Sequence, residues 1–343
     1  MKILITGATG FIGSHLVEAL SAADDEIYAL VRDPGRLAAH PGRPIRPLTG
    51  DLFSIPDLPA GLDVVYHLAG LTKALKKKDY YTVNRKGTAS LLDALERQGL
   101  RPKVVVLSSV AAGGPSEKGS RRTEDDPPRT VTPYGESKRG GEEEALARKD
   151  RFPIVILRAA AVYGPRDTDF LNLFRYIQRG IVPTVGFKRR PFSLCYVKDM
   201  VRALRLAANT PLPSGEILNI SDPEPYTLDQ MGRAAADALG VAAKKIVIPF
   251  GLAFAGVLAS ELLSTIFRKP TPINRDKYRD YRQPGWVADV AKARAQLGFE
   301  SETSLEAGMR ETAAWYIENG WLSRPFGSRS SGSRTSPRTS SKS

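Results

Sequence analysis

The sequence predicts an α/β fold: a doubly wound parallel sheet with a smaller, discontinuous lobe towards the C-terminus. Three observations predict it. Short runs rich in Val, Ile and Leu recur through the first 165 residues without polar alternation, at Ile3–Ile5, Ile27–Val31, Val64–His67, Val104–Leu107 and Ile154–Leu157. That is the pattern of parallel strands buried on both faces. Helical stretches lie between them, at Phe11–Ala22, Tyr80–Gln98 and Tyr134–Lys149, and repeated βα units imply right-handed crossovers. A glycine-rich turn joins the first strand to the first helix.

The chain has 343 residues, enough for about two domains. Hydrophobic residues make up 42% and charged residues 25%, which allows a sizeable core and excludes global disorder, collagen and a coiled-coil rod. One cysteine, Cys195, excludes a disulfide framework and a thiolate cluster, and three histidines leave little material for zinc. No metal is expected. The apolar run Met1–Ile5 meets Thr6-Gly7 at once, which reads as a first strand rather than a secretory leader, so a cytoplasmic protein is expected. The net charge is +13, of which +4 comes from Arg329, Arg334, Arg338 and Lys342. Scattered charge of this kind reads as a solvated basic surface, and a nucleic-acid partner is not expected.

The first lobe is expected over residues 1–166 plus about 194–221, with Leu194–Val197 and Ile217–Ile220 returning to the sheet. Asp167–Arg190 reads as a helix and a basic loop. The second lobe takes about 167–193 plus 222–322, and Thr227 is placed to cap a helix running to Leu239. Residues 327–343 lack any periodic apolar face and are expected to be a disordered basic tail. Val247–Phe267 is apolar apart from Glu261. Pro249, Gly251, Gly256 and the charge of Glu261 disfavour a spanning helix. It reads first as a cap helix buried in the second lobe, with peripheral membrane contact through 247–267 as the alternative.

The candidate site assembles in chain order. Thr6-Gly7-Ala8-Thr9-Gly10-Phe11-Ile12-Gly13 has the spacing G-x-x-G-x-x-G after a strand and before a helix. Glycine lets the backbone approach a pyrophosphate, and the helix N-terminus faces it with free N–H groups. The second strand ends Val31-Arg32-Asp33-Pro34. Val31 stands where NAD binders place a ribose-binding carboxylate, and Arg32, with Arg36, suits the 2′-phosphate of NADP. NADP is therefore favoured, with NAD open if Asp33 holds the ribose. His67 reads as a satisfied core histidine. Asn84 falls inside a helix, where an amide would bond nearby backbone or serve a proton relay. Val104–Leu107 runs into Ser108-Ser109 at the ligand-binding edge of the sheet. Tyr134 and Lys138 are four apart, on one helix face, where the ammonium, with the positive ring of an oxidised nicotinamide, would bring the phenol's pKa down towards the working range.

Taken in order, TGATGFIG, Gly50-Asp51-Leu52, HLAG, Asn84, Ser108-Ser109, the Y-x-x-x-K of Tyr134 and Lys138, and Leu157–Pro165 resemble the extended short-chain dehydrogenase/reductase superfamily over residues 2–166. The resemblance implies a Rossmann-type domain, a Ser109–Tyr134–Lys138 catalytic group, Asp51 near the adenine, and Leu52, Leu68, Ala69 and Gly70 along the cofactor cleft. It sets the nicotinamide beside Ala159–Val162, with Val162 among its contacts. A homodimer through the helices carrying Asn84 and Tyr134 is a further expectation.

Three departures narrow the branch. Val110-Ala111 stand where sugar dehydratases of this family carry Asp-Glu. Ala161 stands where nucleotide-sugar members carry an asparagine after Arg158. Phe192 stands where they carry a diphosphate-binding arginine, although Arg190 is near enough to substitute. The sequence is thus more similar to the hydroxysteroid-dehydrogenase and dihydroflavonol-reductase branch. The expected activity is hydride transfer between NADP(H) or NAD(H) and a secondary alcohol or ketone on an apolar small molecule. A sugar epimerase is the alternative, and a non-catalytic dinucleotide sensor or nucleic-acid binder a lesser one.

Overall fold

The structure, a computed structural model, describes residues 1–22, 24–37, 44–186, 188, 190–267 and 275–323. The expected disordered tail lies outside these residues. Along the chain come β1 (Lys2–Thr6), α1 (Phe11–Ser21), β2 (Glu26–Val31), β3 (Arg46–Thr49) and β4 (Val64–His67). A long helix starts as α2 (Lys77–Tyr80), widens into a π-helical segment (Tyr81–Lys86) and continues as α3 (Gly87–Arg97). β5 (Lys103–Ser109) runs into the short α4 (Val110–Gly113), followed by α5 (Pro133–Leu146) and β6 (Ile154–Ala159). Then follow β7 (Ala161–Tyr163), α6 (Thr168–Gln178), β8 (Ile181–Val185), β9 (Leu194–Tyr196), α7 (Val197–Asn209) and β10 (Glu216–Ile220). The last part holds α8 (Leu228–Leu239), β11 (Lys244–Ile248), α9 (Phe250–Phe267), α10 (Arg275–Arg282), α11 (Ala291–Leu297) and α12 (Leu305–Glu318).

Seven strands form one parallel sheet in the order β10-β6-β5-β4-β1-β2-β3. Ile3 of β1 pairs with Ile27 of β2 on one side and Val64 of β4 on the other. The direction of winding reverses between β1 and β4, and ligands bind in the crevice beyond the strand ends at such a point. The glycine turn after β1 and the HLAG turn after β4 flank that crevice. Strand residues alternate between two cores. Ile3 and Ile5 pack with Leu16, Leu20 and Leu204 of α1 and α7, whereas Leu4 packs with Leu91, Leu95 and Ala145 of α3 and α5. Each such side chain contributes about 1.5–3 kcal/mol on burial.

A separate core joins α6, α8 and α12 through Phe174, Met231, Met309 and Tyr316. Thr227 caps α8 in a reciprocal box: its hydroxyl accepts from the Gln230 N–H, and the Thr227 N–H donates to Gln230 Oε1 at 2.8 Å.

Three expectations are corrected. Leu194–Val197 does not return to the main sheet. Leu194–Tyr196 pairs with Ala161–Tyr163 in a two-stranded parallel ribbon, and Val197 opens α7. β6 is already flanked by β5 and β10, so no edge of it is left for another strand. The basic loop expected before Arg190 contains β8, which pairs in parallel with β11. The apolar segment 247–267 is not a buried cap helix. Val247 and Ile248 belong to β11, and α9 leaves Leu252 67% and Leu258 41% exposed. Val257 is its one described buried side chain.

Candidate active site

The glycine turn is shaped by close approach. Gly7 has φ +77°, and a Cβ there would lie 2.7 Å from the Ala69 nitrogen. A Cβ on Gly13 would lie 2.1 Å from the Gly7 carbonyl oxygen. The two glycines therefore let α1 sit down on the turn and the turn sit against the HLAG backbone. α1 starts at Phe11, with Gly10 as its cap residue and no side chain capping the first turn. Its first N–H groups remain for an anion. A dinucleotide pyrophosphate fits this cradle.

At the end of β2, Arg32, Asp33 and Arg36 are exposed. Asp33 Oδ1 accepts from the Gly35 N–H at 3.0 Å, capping a short 3₁₀ turn. Asp51 is likewise tied to its own turn, with Oδ1 accepting from the N–H groups of Phe53 and Ser54 at 2.8 and 2.9 Å. Leu52 is buried against Gly87. Leu68, Ala69 and Gly70 leave β4 towards the crevice, and a Cβ on Gly70 would stand 3.1 Å from Asn84 Oδ1 and 3.7 Å from Lys138 Nζ.

The structure brings Ser109, Tyr134 and Lys138 together at the C-terminal end of β5 and the start of α5. Thr132 and Pro133 begin α5, and the Thr132 hydroxyl accepts from the Gly135 N–H at 3.3 Å. Ser109 Oγ accepts from the Ala111 N–H at 3.2 Å, which leaves the serine's own hydrogen to be directed at the Tyr134 phenol. One turn on, Lys138 Nζ donates to the Leu107 carbonyl at 2.5 Å. Burial lowers the Lys138 pKa to about 8, with Glu142 pulling it back up. Val162 is half-buried beyond β6, on β7.

The expected lowering of the Tyr134 pKa counts on an oxidised nicotinamide ring beside Lys138; the protein's own groups by themselves act the other way. Burial raises it to about 12; the Ser109 hydrogen bond pulls it down, and Tyr80, Asp280 and Asp169 add to the rise. The Lys138 ammonium is directed at a backbone carbonyl, and burial prevails. The neutral phenol is therefore the favoured form at neutral pH.

A polar network beneath the site was partly legible in the sequence. Asn84 sits in the π-helical segment, a distortion common at functional sites. Its amide donates to the Leu71 carbonyl at 3.0 Å and to Ser137 Oγ at 2.9 Å, and its oxygen accepts from the Leu71 N–H at 2.7 Å. His67 is buried and satisfied. Thr88 donates to the Asn84 carbonyl at 2.8 Å, so it accepts from His67 Nε2–H at 3.0 Å. Nδ1 is then free to accept from Thr6 Oγ1 at 2.8 Å. Burial and the nearby Lys138 drive the His67 pKa to about 3, so the ring is neutral and serves the fold.

Glu142 and Arg158 were not read as a pair. Arg158 Nε and Nη2 donate to the two Glu142 oxygens at 3.0 and 2.8 Å, and Ser108 Oγ donates to Glu142 Oε1 at 2.5 Å. Both charged side chains are buried, at 6% and 3% exposed. The pair fastens α5, and with it Tyr134 and Lys138, to β5 and β6. The signal available was Glu142 at four residues beyond Lys138, on the face turned to the sheet.

Residues 3–221 match the model of the NAD dependent epimerase/dehydratase family. Ceramide reductase of Caulobacter vibrioides is 31% identical over 330 residues, covering 93% of this chain and 96% of that protein. The 3β-hydroxysteroid dehydrogenase/Δ5→4-isomerase of Mycobacterium tuberculosis is 27% identical, covering 92% and 90%. Among solved structures, MoeE5 in complex with UDP-glucuronic acid and NAD superposes with a TM-score of 0.73 at 27% identity, covering 93% of this chain and all of that one.

Proposed function

Because the chain belongs to the NAD dependent epimerase/dehydratase family, we propose that this NAD-dependent oxidoreductase moves a hydride between its cofactor and a ketone or secondary alcohol on an apolar, lipid- or steroid-like molecule. The observation that carries the reading is the charge around Tyr134. Asp280 and Asp169 both act on its phenol, while Ala161 and Phe192 stand at the two positions that would pair a nucleotide-sugar diphosphate. Asp169 is paired with Lys73, which leaves Asp280, whose Oδ1 is buried without a partner, as the carboxylate that penalises a diphosphate and tolerates a neutral lipid. Arg190, the nearest substitute, donates from Nε to the Gln283 carbonyl at 3.1 Å and lies 4.9 Å over the Phe250 ring. The named activities of the ceramide-reductase and hydroxysteroid-dehydrogenase relatives support the same substrate class.

The glycine turn, the N-terminus of α1 and the ends of β2 and β4 would hold the cofactor, which supplies or accepts the hydride. In reduction, Tyr134 gives its proton to the carbonyl oxygen. Ser109 hydrogen-bonds that oxygen and positions it. Lys138 keeps a positive charge beside the phenolate that forms. Arg32, exposed while Asp33 is engaged with Gly35, is proposed to contact the 2′-phosphate of NADP.

Epimerisation of a sugar remains a second reading, favoured by one observation: Arg190 Nη1 is buried without a protein partner and would donate to a phosphate oxygen. The two separate in one assay. The purified protein is given NADPH or NADH with long-chain keto-amides, steroid ketones, or UDP-sugars. The expected result is oxidation of reduced nicotinamide with the lipid-like ketones, falling roughly 10²–10⁴-fold in kcat for Tyr134→Phe. Interconversion of UDP-sugars without net cofactor turnover would replace this reading by the second.

A further inference from the structure

A helix that is apolar all round is normally buried. α9 is apolar all round and is not. Across its 18 residues Glu261 is the single charge, yet Leu252, Phe254, Leu258 and Ile266 are 67%, 38%, 41% and 63% exposed. Nearby, Ile246 and Tyr281 are 46% and 45% exposed and extend the same kind of surface. The helix is attached along one side. Phe250 and Phe254 contact the Tyr278 ring of α10 at 6.0 and 5.1 Å between centroids, and Val257 is buried. Exposed apolar surface of this extent marks an interaction site rather than ordinary exterior.

The charge around the helix names the partner. Residues 244–282 hold eight lysines and arginines against three acids. Lys188, Lys244, Lys245, Arg275 and Arg279 are exposed on the segments that pack beside α9, and of these Lys245, Arg275 and Arg279 also pair with Asp229, Glu261 and Asp276. Eighteen residues give about 27 Å of helix, short of the ~30 Å hydrocarbon core. No helix among the described residues is long and apolar enough to cross a membrane. An apolar helix with a cationic border, too short to span, has the character of an interfacial helix.

We propose that α9 and its basic border dock this protein onto an anionic lipid surface, with Leu252, Phe254, Leu258 and Ile266 entering the headgroup–acyl boundary. α10, packed on α9, carries Asp280, which acts on Tyr134, so the docked face adjoins the substrate side of the site. The inference goes beyond the substrate assignment and stands without it, because its test reads binding rather than turnover.

The test is co-sedimentation of the full chain with vesicles of equimolar phosphatidylglycerol and phosphatidylcholine, and with phosphatidylcholine alone. The expected result is sedimentation with the anionic vesicles, weakened by salt and by omission of phosphatidylglycerol. A Leu252→Glu/Leu258→Glu double variant should lose at least about tenfold in partitioning. Because both side chains are exposed, its thermal melt and NADH binding should stay unchanged. Absence of wild-type sedimentation overturns the proposal. So does equal sedimentation of the variant, which would assign binding to the basic C-terminal segment. A wild-type dimer that becomes monomeric in the variant, without vesicle binding by either, would make a second copy the occupant and likewise overturn it.

Discussion

Tyr134 and Lys138 depart from ordinary titration in opposite directions for the same reason. Burial disfavours the charged form of each, which raises a phenol and lowers an ammonium. Tyr134 is protonated throughout the working range, and Lys138 keeps its charge only below pH of about 8. The rate of ketone reduction should therefore hold through neutral pH and fall above about 8. In Lys138→Arg, where the cation cannot be titrated, the alkaline fall should disappear even though the maximum is lower. An unchanged alkaline limb in that variant would remove Lys138 from the mechanism. At the other end of the cofactor, Arg32→Ala should raise KM for NADPH by roughly 10–100-fold, the loss of one charge-assisted contact, and leave KM for NADH nearly unaltered. Equal effects on both cofactors would return the ribose to Asp33.

The element proposed to carry the chemistry is α5, and its seating is expensive in charge. The Arg158–Glu142 pair lies buried between α5 and the sheet. Removing one member strands the other, at about 3–5 kcal/mol. Glu142→Gln should therefore lower unfolding free energy in urea by about that amount and reduce kcat through misplacement of Tyr134. Glu142→Met with Arg158→Met should recover much of the stability, since neither charge is then buried alone. If the single variant melts like the parent, the pair is not what fastens α5. On its other side α5 meets the π-helical segment through Gly140 and Gly141. A Cβ on Gly141 would lie 2.5 Å from the Asn84 carbonyl oxygen. Two glycines weaken a helix by about 1 kcal/mol each, and here they admit the close contact that fixes Asn84 against Ser137.

Across the whole molecule, the junction between the sheet and the C-terminal segments is polar. Asp222, just beyond β10, accepts from Ser301 Oγ at 2.8 Å, and Asp199 of α7 accepts from the N–H groups of Glu302 and Thr303 at 3.1 Å each. Burial lifts the Asp222 pKa to about 6, above its unfolded value. The folded state then binds a proton before the unfolded state does, so this group adds stability as pH falls through about 6 and costs stability above it. Measured against Asp222→Asn, the parent should gain roughly 2 kcal/mol in relative unfolding free energy between neutral pH and pH of about 4. A pH-independent difference would mean that Asp222 is not titrating in the folded protein. The same scale governs the basic surface. A net charge of +13 is unremarkable when spread, and gains meaning where it borders the exposed α9.

Local pattern was enough for most of the sheet, because strands buried on both faces must be largely apolar, and the central runs of β1, β2, β4, β5 and β6 are. The glycine turn was legible because it lies between a strand and a helix, whereas Ser109, Tyr134 and Lys138 were singled out as one group by the family resemblance, since a tyrosine and a lysine four apart on a helix are common by themselves. β3 escaped because an edge strand is half solvated, and Arg-Pro-Leu-Thr carries no apolar run. The Arg158–Glu142 pair, the seating of Leu194–Tyr196 on β7 and the direction of the Tyr134 pKa needed the tertiary structure. Each depends on which distant residue shares a buried space, and desolvation has no signature in sequence spacing. The fate of 247–267 makes the division plain. Sequence determined that the segment is apolar; only the packing of the surrounding elements decided that most of its described side chains remain uncovered.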